Sequence, residues 1–193
     1  MNYANILLLI ALCIAVVSYG VYFKNIFFGS TKPHAFSWFV WAVLSGVAFA
    51  GEIVSGAGAG AWIIGFTAVV CLLISIVSSY KGMTDFSLLD WLCLFLALSS
   101  VIIWYYTNQP VLAEIFVSLA YGIGFIPTIV KSMRSPQSET VLTFGLNAVK
   151  FLISIFSLQI FSLTTIVYPA TLVGMNLLMV IIVLQRRRSQ AAL

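Results

Sequence analysis

Hydrophobic residues run along this chain in long unbroken blocks rather than in alternation with polar ones. A helix needs about 20 mainly apolar residues to cross a hydrocarbon core of roughly 30 Å. Seven stretches meet that need: 5–23, 36–54, 61–80, 87–106, 111–131, 140–161 and 165–185. The blocks are continuous, whereas a transmembrane barrel requires period-two alternation, so strands are not expected. The pattern predicts an all-α integral membrane protein with seven transmembrane helices. Most of the chain is used by these spans, which leaves no room for a soluble domain.

Composition narrows the picture. Of 193 residues, 62% are hydrophobic and 7% are charged, against about a quarter charged in soluble domains. Nine basic and five acidic side chains cannot cover a water-facing surface. A soluble enzyme, a nucleic-acid binder and a disordered chain are thereby excluded, and the lipid bilayer becomes the expected partner. The basic residues are asymmetric. Lys24, Lys32, Lys81, Lys131, Arg134 and Arg186 to Arg188 flank the connections after spans 1, 3 and 5 and the end of span 7, while those after spans 2, 4 and 6 hold no Lys or Arg. Such a bias marks the cytoplasmic side. It predicts the N-terminus outside, the C-terminus inside, and a multi-pass protein of the cell (inner) membrane. Trp38, Tyr80 and Trp91 are expected at the inner interface, and Trp62, Trp104, Tyr105 and Tyr106 at the outer one. Cys13, Cys71 and Cys93 show no CxxC or His spacing, so neither a disulfide frame nor a metal site is expected.

The two halves of the chain match at a shift of 102 to 104 residues. Tyr19-Gly20 falls on Tyr121-Gly122, Phe23 on Phe125, Ile26 on Ile129, Pro33 on Pro136, Ser37 on Thr140 and Thr67 on Thr171. Three spans are followed by one connecting span and three more. The connecting span restores direction, so the two triplets run parallel. The expected organisation is a first repeat over 1–82, a linker helix over 83–109, a second repeat over 110–186 and a basic tail over 187–193. This 3+1+3 layout resembles the PQ-loop superfamily, which includes the SWEET sugar carriers, lysosomal amino-acid exporters and KDEL receptors. The second copy reads Phe125-Ile126-Pro127-Thr128-Ile129-Val130-Lys131-Ser132, with Thr128 where that family carries Gln. The first copy has Lys24 at the proline position. A degenerate, bacterial-type member is what the resemblance implies, together with a tendency to form homo-oligomers.

Charge at bilayer depth costs at least about 2.5–3.5 kcal/mol at a helix centre, so such groups seek a cavity or a partner. Lys150 lies ten residues from one end of span 6 and eleven from the other. Asn147 is three residues earlier, on the same helical face, and Asn176 is near the middle of span 7. These three form the expected substrate-binding site, an ammonium and two amides suited to an anionic or carboxylate-bearing solute. The competing reading makes Lys150 a structural charge that pins the bundle. Glu52, at a C-terminal helix end where the dipole disfavours it, is the candidate gate or proton site. Glu114 and Asp90 are accounted for by helix N-termini. Pro127, with Gly122 and Gly124, is the candidate hinge. Trp38 and Trp41 are core or anchoring residues that could alternatively line an aromatic pocket. Gly56, Gly58 and Gly60 suit close packing in a tight turn, and His34 a solvated loop.

No nucleophile–base pair, metal cluster or phosphate motif is present, so neither an enzyme nor a cofactor is expected. The expected function is a small-solute transporter working by alternating access, with a midplane site between the repeats. A receptor or sorting protein that binds without translocating is the alternative. A scaffold is a further one, and a retinal photoreceptor is disfavoured because span 7 carries no Lys.

Overall fold

The computed structural model describes residues 3–191 apart from 30, 83 and 85–87, and no side chain at 127 or 191. The expected boundary between the first repeat and the linker falls at 82/83, partly outside the described residues. The described residues are predominantly helical, without strands. Seven α-helices follow one another: α1 (Tyr3–Phe27), α2 (Ala35–Val54), α3 (Ala61–Lys81), α4 (Leu88–Thr107), α5 (Pro110–Arg134), α6 (Val141–Phe156) and α7 (Leu163–Ala191). Six are long and apolar enough to cross a membrane. The exception is α6, whose 16 residues reach only about 24 Å.

That shortening has a local cause. The stretch expected as span 6 ran to 161, but the helix stops at Phe156, where the Ser157 amide closes the last turn on Ile153 and the Ser157 hydroxyl donates to the Ser154 carbonyl at 2.8 Å. The chain then leaves the helix so that the Gln159 amide reaches the Ala57 carbonyl at 3.0 Å. Ser162 and Thr165 start α7 with a reciprocal cap, each hydroxyl accepting from the other's backbone amide. Apolarity alone did not reveal this punctuation.

Each helix buries one face, in which small and polar residues are interspersed with large apolar ones. On α1 the buried positions are Ala4, Ala11, Ala15, Ser18, Tyr19, Tyr22 and Ile26, spaced as one helical stripe. Ile6, Leu9, Ile10, Val16 and Val17 on the other faces are exposed, as a lipid-facing surface should be. Small residues let backbones approach closely where lipid gives no hydrophobic drive between helices. Helix α3 packs on α1 and α2, and α7 packs on α5 and α6. Across the molecule α1 meets α6 and α2 meets α5, while α4 lies against α5 and α2.

The basic end is laced by polar contacts. Lys131 Nζ donates to the Lys32 carbonyl and to Glu139 Oε1, both at 2.9 Å. Arg187 donates to the carbonyls of Pro136 and Glu139. Burial raises the Glu139 carboxyl above its ordinary value, and the Lys131 ammonium offsets only part of that.

Candidate functional site

Two cavities lie one below the other between the α1–α3 and α5–α7 groups. The larger, about 110 Å³, sits just inside the basic end. Its rim includes His34, Lys131 and Glu139, and its floor Tyr22, Trp38, Trp41 and Phe144. The smaller, about 20 Å³, lies deeper and shares Trp38, Trp41 and Phe144 with the first. Tyr19, Tyr121, Cys71, Asn147 and Asn176 complete much of its wall. That volume holds a water or two.

Asn147 and Asn176 therefore face the same void, one from α6 and one from α7. The Ser18 hydroxyl donates to Asn147 Oδ1 at 3.3 Å, and Asn176 Nδ2 donates to the Leu172 carbonyl at 2.8 Å. Lys150 is placed behind the lining rather than in it. Its ammonium, fully buried, donates to the Tyr19 hydroxyl at 2.7 Å and lies 4.0 Å and 4.4 Å from the ring centres of Tyr19 and Phe151. Both rings line the cavity, so the charge reaches the void through Tyr19. No carboxylate pairs with Lys150 among the described residues; the ion pair there is Lys131–Glu139, and His34 Nδ1 lies 3.8 Å from Asp90 Oδ1.

Trp38 and Trp41 are buried in the interior. Their rings meet edge to face at 5.1 Å, and Trp41 stacks at 4.9 Å from Phe125 and 5.7 Å from Tyr121. Gly124 makes room for this, because a Cβ there would lie 3.1 Å from Trp41 Nε1. The Trp41 Nε1 donor is buried and has no hydrogen-bond partner. A buried donor left unpaired is costly, which makes it a ready contact for an acceptor entering the cavity. No known family model, curated protein or solved structure matches the chain.

The far end is shut. Gly56 and Gly58 adopt left-handed backbone, φ +76° and +68°. A Cβ on Gly58 would collide with the Gln159 side chain, and one on Gly60 would come within 2.8 Å of the Ser154 carbonyl. The Ser154 hydroxyl donates to the Gly60 carbonyl at 2.9 Å. These glycines let the turn after α2 press onto the segment between α6 and α7.

The remaining expected residues fall in three places. Glu52 is fully buried on α2 near the shut end, beside Glu114 of α5. Glu114 is the fifth residue of α5 and lies outside its first turn, so the end-of-helix account given for it above does not hold. Asp90 does occupy the first turn of α4 and accepts from the Ser37 hydroxyl at 3.0 Å. His34 is a half-buried cap rather than a solvated loop residue, its Nδ1 accepting from the Ser37 amide at 3.3 Å. The backbone continues helically through Pro127, whose side chain is outside the described set. Sequence reasoning missed Tyr19, Tyr121, Phe125 and Phe144 as lining. The signal was available, since Tyr19 and Tyr121 are matched in the repeat and both reach the same void.

Proposed function

We propose that the chain is a small-solute membrane transporter built as two parallel three-helix repeats, α1–α3 and α5–α7, joined by α4. The N-terminus is outside and the basic end cytoplasmic, and the solute binds between the repeats. The observation that carries this reading is the pair of cavities running from the basic end to Asn147 and Asn176 and ending there, with the glycine turns packed closed at the opposite end. Access from one side with closure on the other is the geometry of a carrier at rest in one of its two states.

The packing supports the repeats. Exchanging α1, α2 and α3 for α5, α6 and α7 returns the same set of helix pairs: α1–α3 becomes α5–α7, α2–α3 becomes α6–α7, and α1–α6 becomes α5–α2. The seam between the trios is thus formed by equivalent contacts, as rocking about a central axis requires. Helix α6 serves as the seventh span despite its length, because irregular backbone is tolerated at membrane depth where protein packs around it. Its continuation at 157–160 is held by the α2–α3 turn.

The lining also refines the solute. Aromatic faces, two amides and the free Trp41 donor suit a flat or ring-shaped polar molecule rich in hydroxyl or carbonyl groups. Among the described residues no cation lines the deeper void, so a bare carboxylate is the poorer fit. At about 20 Å³ the void must enlarge to take any such molecule, by parting of the α1–α6 and α2–α5 seams. The resemblance to the PQ-loop superfamily is compatible with this reading and contributes no solute. Uptake into proteoliposomes, screened over sugars, amino acids and vitamins, is the test. Saturable uptake of a ring-bearing polar solute supports the proposal. Saturable binding with no uptake makes the protein a receptor instead.

A further inference from the structure

The solute pathway leaves one buried cluster unused. Glu52 on α2 and Glu114 on α5 come from different helices, are 0% and 1% exposed, and lie within electrostatic reach of each other. All four carboxyl oxygens are buried without a hydrogen-bond partner. Gly51 is part of the arrangement. Glu114 Oε1 occupies the place where a Cβ at Gly51 would stand, so the missing side chain lets that carboxyl reach the α2 backbone beside Glu52. The Ser118 hydroxyl, one turn further along α5, is likewise buried and unpaired. Tyr168 of α7 is the other titratable group within electrostatic reach of Glu114, and its hydroxyl is engaged with Ser45 at 2.9 Å. No further titratable group acts on either carboxyl among the described residues.

Two ionised carboxylates cannot remain side by side, dry and unpaired. Isolated buried charges of this kind neutralise, and like charges sharing a site cannot both ionise. Something positive must bind. A divalent cation fits poorly, because calcium takes six to eight oxygens and no group of three or more His, Cys, Asp or Glu side chains is gathered among the described residues. A proton needs two oxygens. We propose that Glu52 and Glu114 form a proton-binding carboxyl pair at the α2–α5 seam, holding at least one proton between them and closing that seam while it is bound. The proton comes from bulk water and returns to it. When it leaves, two unpaired charges demand hydration, and water can reach them only if α2 and α5 part. The α2–α5 contact is one of the two most extensive that bridge the helix groups, so protonation bears on whether the shut end opens. The binding itself holds whether or not a solute is carried.

Infrared spectroscopy of the purified protein in lipid nanodiscs tests this without a solute. The wild type should show, at pH 7, the carbonyl stretch of a protonated and unhydrated carboxylic acid, shifting when H2O is replaced by D2O. The E52Q/E114Q double variant should lose that band, apart from any share owed to Glu139, which E139Q measures. If the double variant does not fold, the single variant E52D, which keeps the carboxyl, should shift the band. Absence of the band in the wild type, its persistence undiminished in the double variant, or its removal by millimolar sodium or calcium would overturn the proposal. Failure of the uptake screen leaves these readouts unaffected.

Discussion

Replacing Lys150 with Met separates a binding role from a structural one, because the two predict different stabilities. The ammonium donates at 2.7 Å to Tyr19 and lies over two rings. A charge-assisted hydrogen bond contributes about 1.5–3 kcal/mol, and a desolvated cation–π contact about 2 kcal/mol. Against these stands the cost of taking the ammonium out of water, several kcal/mol even after relaxation. Methionine nearly conserves the volume, and repacking of that kind costs under about 1.5 kcal/mol. No carboxylate would be stranded by the change, since none pairs with Lys150 among the described residues. The terms nearly cancel, and K150M should unfold within about 2 kcal/mol of the wild type in mixed micelles titrated with SDS. Breaking a buried ion pair would instead cost about 3–5 kcal/mol. Transport should be lost in the same variant, because Tyr19 then faces the cavity without its charged partner. A stability loss above about 3 kcal/mol would refute this reasoning and make Lys150 a pin of the bundle. Full uptake by K150M would remove it from the site.

Further outcomes follow from the same geometry. G58A should destabilise by about 1–2 kcal/mol, since left-handed backbone alone costs an L-residue about that much; adding Q159A should leave most of the loss in the same unfolding titration, and an unchanged midpoint in G58A would contradict the packing described. Glu139 is buried with a raised pKa, so its protonation stabilises the fold. That contribution is complete below the ordinary glutamate value of about 4.3 and disappears as pH climbs through the raised one. Melting temperature should therefore decline over that interval in the wild type, and E139Q should flatten the decline. An E139Q profile parallel to the wild type would deny Glu139 this role.

The membrane character and most helix positions were legible because apolar blocks of span length have few alternatives. Span 6 was misjudged, since its end is set by the Ser157 hydroxyl and by docking of Gln159 on Ala57, and hydropathy registers neither. Asn147 and Asn176 could be found from polarity at depth. The position of Lys150 behind Tyr19 could not, because it depends on how α1 meets α6. Glu114 was misread for a related reason: its nearness to a helix start suggested an electrostatic role there, whereas its surroundings come from Gly51 and Glu52 on another helix. The aromatic lining was hidden by abundance. With 28 Phe, Tyr and Trp residues in the chain, only the repeat-matched Tyr19 and Tyr121 carried a signal of their own.

The central claim is that the void between the helix groups is reached alternately from both faces of the membrane, and a native side chain reports on it. Cys71 lines the deeper cavity, while Cys13 and Cys93 do not. In a C13S/C93S protein, the rate at which a small membrane-impermeant thiosulfonate labels Cys71 should be measured separately in right-side-out and inside-out vesicles. Labelling from both faces, faster from the basic end, is the predicted result. Labelling from one face only, under every condition, would contradict the account.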